Sequence, residues 1–187
     1  MVVASRNRIP SLFNRAVLLN TEQYHVLCQQ FPELEKTELI EGHIVKKMTI
    51  SPEHSYLLES VIDILKNLIS KKYFIRIQQP LSLLNSEPEP DVAIVYGNKS
   101  NYRENHPQTA ILVVEVAISS LEIDREKAEI YAMADIPEYW IINGKDKRLE
   151  VYLRPYNGEY LEKKVIQIDQ NYQYNNYDFS LNEIFYS

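Results

Sequence analysis

Ala110-Ile-Leu-Val-Val-Glu-Val-Ala117 decides how the rest of the chain is read. The run is apolar with no alternation, which marks a strand covered on both faces. It contains a single charged residue, Glu115. A carboxylate inside such a strand carries a desolvation penalty of several kcal/mol unless something pairs with it. The strand therefore predicts a layered fold and, at Glu115, a place where unusual chemistry is concentrated.

Working downstream, Asp124 to Ala134 reads as a helix, and Glu138–Asn143, Arg148–Leu153 and Tyr160–Ile168 as strands. The segment Asn171-Tyr-Gln-Tyr-Asn-Asn-Tyr177 reads as a polar loop. Upstream, Val92 to Tyr96 is a short strand after the proline-rich Glu87-Pro-Glu-Pro-Asp91, and Tyr73 to Leu84 reads as strand, break at Pro80, strand. Before these comes the best helix. Ser51 is its N-cap, Pro52 occupies the first helical position, and Leu57, Leu58, Val61, Ile62, Leu65, Leu68 and Ile69 form one broad apolar face. Lys71-Lys72 suits its negative C-terminal end. Thr37 to Met48 is a hairpin with its turn at Glu41-Gly42, and Thr21 caps a short helix that Pro32 stops. Short strands with two or three helices and no strict βαβ rhythm predict a mixed-sheet α/β or α+β domain.

With 187 residues, 45% of them hydrophobic, the chain suits one domain with a real core. We expect residues 1–187 to form that domain, with 1–20 an N-terminal extension and 170–187 a C-terminal tail. The single Cys28 rules out an intramolecular disulfide and a thiolate metal cage. Four scattered glycines leave no dinucleotide fingerprint or P-loop, and no nucleophile elbow is present. A net charge of −6 argues against sequence-blind coating of nucleic acid, although a local basic patch or a metal-bridged phosphate contact stays open. No apolar run approaches the ~18 residues of a membrane span. The mildly basic start, with Arg6, Arg8 and Arg15, lacks a signal-peptide core. The expected setting is cytoplasmic, with no membrane partner.

Two acids sit where acids are rarely found. Besides Glu115, Asp91 follows Pro90 and directly precedes the apolar Val92-Ala-Ile-Val95. If the two strands are neighbours, both carboxylates converge, and hard oxygen ligands of this kind are what Mg²⁺ accepts. Lys127 shares a helix face with Asp124 and Tyr131 at spacing i, i+3, i+7. An ammonium facing a carboxylate pair can orient water and neutralise charge in a phosphorane-like transition state.

In order and spacing, Pro90-Asp91, Glu115-Val-Ala117, Asp124-Arg-Glu-Lys127, Tyr131 and Ile136-Pro-Glu-Tyr-Trp-Ile141 resemble the Uma-type family of putative restriction endonucleases, within the PD-(D/E)XK nuclease superfamily. Glu38-Leu-Ile-Glu-Gly42 and Ser51-Pro-Glu-His54 fit the same pattern, and the resemblance runs from about residue 20 to about residue 155. It implies a restriction-endonuclease-like core, a mixed central sheet flanked by helices. It also implies a DNA endonuclease that uses Mg²⁺ or Mn²⁺ to hydrolyse phosphodiester bonds. Asp91 and Glu115 would hold the metal, Glu38 would resemble the additional acid of such sites, and His54 would match a family histidine of underived role. The superfamily's lysine belongs two residues after the glutamate. That position is Ala117 here, and Lys127 on the following helix would replace it.

Plainer readings stand beside these. Asp91 can be an ordinary turn residue after proline, and Glu115 with Lys127 can be an inert structural pair. Alternation allows at most one of Glu38 and Glu41 to face inward, and Glu38 is preferred. Tyr139 and Trp140 read as core, the C-terminal tyrosines as sheet cover with their hydroxyls in water. The second functional reading is a non-catalytic nucleic-acid-binding or interaction module on the same fold. Cutting both strands of a duplex would favour a homodimer.

Overall fold

The computed structural model describes residues 16–186. Arg6, Arg8, Arg15 and most of the expected N-terminal extension lie outside the described residues. The elements in order are α1 (Thr21–Gln30), β1 (Thr37–Ile40), β2 (His43–Lys46), α2 (Pro52–Leu68), β3 (Tyr73–Ile77), β4 (Val92–Tyr96), β5 (Leu112–Ala117), α3 (Leu121–Met133), β6 (Glu138–Asn143), β7 (Arg148–Tyr156), β8 (Glu159–Gln167), β9 (Asn171–Tyr174), β10 (Tyr177–Ser180) and α4 (Asn182–Phe185).

Six strands form one mixed sheet in the order β3-β4-β5-β6-β7-β8. All neighbours are antiparallel except β5 and β6, which α3 joins as the crossover that a parallel pair requires. The prediction from the Ala110–Ala117 run holds: every residue of β5 is buried, and it lies inside the sheet between β4 and β6. Its even-numbered side chains, Leu112, Val114 and Val116, join α2, the β9–β10 hairpin and α4 in one core. Val113 and Ala117 face α3 and the buried Leu81 and Leu83 in a second core. Glu115 lies between those two residues and so faces α3.

Several boundaries differ from the sequence reading. Residues 81–84 are not a strand. Leu81 bonds through its amide to Pro88 O, and Leu83 and Ser86 close a tight turn, so the two leucines fill the core from a loop. The segment read as a polar loop is a β-hairpin whose Asn175 and Asn176 both take positive φ (49° and 70°), as a type I′ turn demands. Tyr172, Tyr174 and Phe179 then surround Trp140 with ring centroids 5.3–5.7 Å away. Tyr172 donates its hydroxyl to Glu138 instead of to water. Asn20, in a capping box with Gln23, caps α1 in place of Thr21. The third helix starts at Leu121, three residues before the expected Asp124. Lys71 and Lys72 lie beyond the end of α2.

The β1–β2 hairpin presents Glu38 and is tied down at its turn. Gly42 donates to Asn85 O and accepts from Leu19 N. A Cβ there would meet Leu18 Cβ at 2.7 Å and Leu19 O at 3.0 Å, at φ +78°. Gly42→Ala is therefore expected to cost about 1–2 kcal/mol in urea unfolding.

Candidate active site

The register of β4 and β5 pairs Val92 with Val114, so the next step outward sets Asp91 opposite Glu115 on the face toward α3. The two residues interlock. Asp91 N donates to Glu115 Oε2 at 3.2 Å, and Val116 N donates to Asp91 Oδ2 at 2.8 Å. Lys127 reaches down from α3 and sets its ammonium 3.0 Å from Glu38 Oε1 and 3.2 Å from Glu115 Oε1. Tyr131, one turn further along, donates to Glu115 Oε1 at 2.9 Å. His54, in the first turn of α2, places Nε2 3.0 Å from Asp91 Oδ2, so it is a partly buried site neighbour and not a free surface residue. Asp91 Oδ2 is an acceptor, so Nε2 carries the proton, and the buried Nδ1 has no partner among the described residues.

All five residues singled out from sequence thus line one cleft of ≈ 390 Å³. Glu38 is buried and faces the cleft, whereas Glu41 lies past the end of β1, exposed in the turn at φ 47°. Two further residues stand with them. Asp124 is buried at the start of α3, accepts from Ser120 Oγ at 2.6 Å, and is fixed through its carbonyl by Tyr139 OH. Gln78 donates to Asp91 Oδ1 at 3.3 Å from a backbone with φ 47°. The sequence placed Asp124 on the Lys127 face but gave it no role. Nothing in it marked Gln78, whose direction depends on the bend after β3.

The electrostatics follow from charge balance. Glu38, Asp91, Glu115 and Asp124 face one ammonium and one imidazole. Burial pushes the Glu115 carboxyl up to about 8 despite the opposing pull of Lys127. Burial likewise raises Asp124 to about 6, against the hydrogen bond from Ser120. Burial would lower Lys127, but Glu115, Glu38 and Asp124 outweigh it and hold the ammonium above its ordinary range. The bond to Asp91 raises His54. Every shift runs toward holding an extra proton, the response of a buried site with excess negative charge.

Excess charge on hard carboxylate oxygens also suits a divalent cation, with Asp91, Glu115 and Glu38 as available donors. Among the described residues, no three His, Cys, Asp or Glu side chains converge as a ready-made cage. The Lys127 ammonium lies between Glu38 and Glu115, backbone amides bond Glu38 Oε2, Glu115 Oε2 and Asp91 Oδ2, and the Gln78 side chain bonds Asp91 Oδ1.

The family described as "Uma2: Putative restriction endonuclease" matches residues 21–175, which include every residue of this cleft. The chain belongs to the Uma2 family. No curated protein matches it. A solved structure described as a putative nuclease belonging to DUF820 from Anabaena variabilis ATCC 29413 is 16% identical, with a TM-score of 0.67 over 84% of this chain and 94% of that one. At that identity the likeness shows a shared fold alone, a mixed α+β fold with a central mixed sheet flanked by helices, as expected from sequence. No helix among the described residues of this Uma2 chain is long and apolar enough to cross a membrane.

Proposed function

We propose that the protein is a divalent-metal-dependent phosphodiesterase acting on DNA. One observation carries the reading: Asp91 and Glu115 interlock across adjacent strands, inside a buried cluster whose carboxylates outnumber its cations. Membership of a family described as "Putative restriction endonuclease" supports the reaction class. Asp91 and Glu115, with Glu38, would hold Mg²⁺ or Mn²⁺. Such an ion supplies Lewis acidity to the phosphate and acidifies water.

The chain's own residues do the rest. Lys127 stays protonated among its carboxylates, so it acts as a hydrogen-bond donor that orients water and offsets developing phosphoryl charge, not as the base. Tyr131 and the Asp91 amide fix the Glu115 carboxylate, and Gln78 and His54 fix Asp91. Asp124 adds to the field that keeps Lys127 charged.

The test is metal-dependent nicking of plasmid DNA together with a thermal melt. The parent should nick DNA only with Mn²⁺ or Mg²⁺ and melt higher with Mn²⁺, more so at pH 8.5 than at pH 6.5, because protons compete for the same oxygens. Asp91→Asn should lose both responses and keep its metal-free melting temperature. Unchanged nicking by Asp91→Asn would refute the reading.

One observation favours a second reading, a non-catalytic binding module. Lys127 already bridges Glu38 and Glu115 as a structural pair would. In that case Mn²⁺ leaves the melt unchanged and Glu115→Gln destabilises regardless of metal.

A further inference from the structure

The walls of the cleft differ in chemistry from its floor. Asp91, Glu115, Glu38 and Asp124 are each less than 10% exposed. Above them, the extended segment before α2 contributes Met48 and Ile50, each 51% exposed, and the first turn of α3 contributes Ile123 at 41%. Exposed apolar side chains scattered singly over a surface need no explanation. These three line the same cleft, above a charged floor. The cations nearby are few. Of the lysines that line the cleft, Lys127 is bound to the acids, Lys47 is held by Glu89 at 2.6 Å and Glu35 O at 3.1 Å, and only Lys46 has no ion pair among the described residues.

A protein that grips duplex DNA through its backbone neutralises about six to ten phosphates, and its binding collapses with salt. This cleft offers one unengaged lysine on a chain of net charge −6. A phosphate reaching the floor must also pass below apolar lips. A base-paired strand is held at the width of its helix by its partner, whereas an unpaired strand can bend inward and turn a base against an apolar wall.

Resting on the nuclease reading above, we infer that the substrate is unpaired DNA, with one nucleobase packed between the lips formed by Met48, Ile50 and Ile123 while its phosphate descends to the acids. The lips then supply the affinity that a basic track supplies elsewhere, and binding depends only weakly on salt. A single strand also needs no second copy of the chain for the cut.

The test pairs cleavage with binding. Labelled oligonucleotides that are fully paired, that carry a central unpaired stretch, or that carry the same stretch without bases are incubated with Mn²⁺. Cleavage should fall in the unpaired stretch, at least tenfold faster than in the duplex. Anisotropy should show binding at least tenfold weaker for the abasic strand, and little loss between 50 and 200 mM salt. Ile50→Asp and Ile123→Asp alter half-exposed side chains, so the fold and the Mn²⁺-induced rise in melting temperature should persist. Both variants should lose the preference for bases.

Duplex cut as fast as the unpaired stretch, or variants that still discriminate the abasic strand, would overturn the inference and leave the nuclease reading standing. Base-dependent binding without cleavage of any substrate would uphold the lips and refute the nuclease. Neither binding nor cleavage would refute both.

Discussion

Lys127→Met is expected to destabilise the protein by about 3–5 kcal/mol and to slow metal-dependent cleavage by about 10²–10³-fold. Methionine keeps the apolar stem and removes only the ammonium. Glu38 and Glu115 would then lie buried with no cation between them, since Lys127 holds one at 3.0 Å and the other at 3.2 Å. Glu115, already raised to about 8, would hold its proton still more firmly. The loss should therefore be recoverable in part by neutralising what remains. Adding Glu38→Gln and Glu115→Gln removes the stranded charge of Glu38 and the carboxyl that must keep its proton, and should return most of the stability, because a buried cluster with no charge is often as stable as an intact one. Cleavage should not return. Urea unfolding and plasmid nicking measure the two effects separately. A Lys127→Met protein as stable as the parent would mean that the ammonium does not hold these acids. One that still cuts would remove the lysine from the chemistry.

Glu150→Ala is expected to cost a similar 3–5 kcal/mol through a different cluster. Glu150 is fully buried on β7, in the cross-strand row that runs from Glu115 through Ile141. Arg125 bonds to both of its oxygens, Lys163 reaches it at 2.7 Å, Tyr152 at 3.0 Å and Arg148 at 3.5 Å. Helix α3 thus sends Arg125 to one buried acid and Lys127 to another, two strands apart. Burial alone would raise Glu150, but the hydrogen bonds from Arg125 and Lys163 more than reverse this and hold it at about 2, against an ordinary 4.5. Its folded value lies below its unfolded one. The stabilisation is therefore complete above the ordinary carboxylate range and disappears as pH falls through about 2. Acid titration should show the parent losing stability steeply over that window and Glu150→Gln giving a flatter curve. The Mn²⁺ response should persist in Glu150→Gln, because Glu150 does not line the cleft.

The two acid clusters show what the sequence could and could not reveal. Glu115 stood out because one carboxylate interrupted a strand with no other polar residue, and Asp91 and Lys127 gained meaning from their order around it. Glu150 interrupts Arg148-Leu-Glu-Val-Tyr-Leu153 in much the same way. The sequence reading gave it no role, and only the register shows the acid under α3. The sheet's central strand, the two main helices and the β1–β2 hairpin were legible from periodicity and caps. The β9–β10 hairpin was not. Its alternating tyrosines are spaced by Asn and Gln, and the turn depends on two asparagines taking positive φ, a choice that packing on Trp140 reinforces. Leu81 and Leu83 misled for the opposite reason: apolar spacing there reports burial in a loop, not a strand. Gln78 stayed invisible because its role depends on a backbone bend.

Trp140 is the chain's only tryptophan, and it lies on the face of the sheet opposite the acids, enclosed by Tyr172, Tyr174 and Phe179 and donating its indole N–H to Glu138. Tryptophan emission, excited selectively over the tyrosines, therefore reports the seating of the last hairpin and is blind to direct contact in the cleft. An emission change on adding Mn²⁺ or an oligonucleotide would have to travel through the strands themselves, which makes this one fluorophore a built-in gauge of whether ligand capture is felt on the far side of the protein.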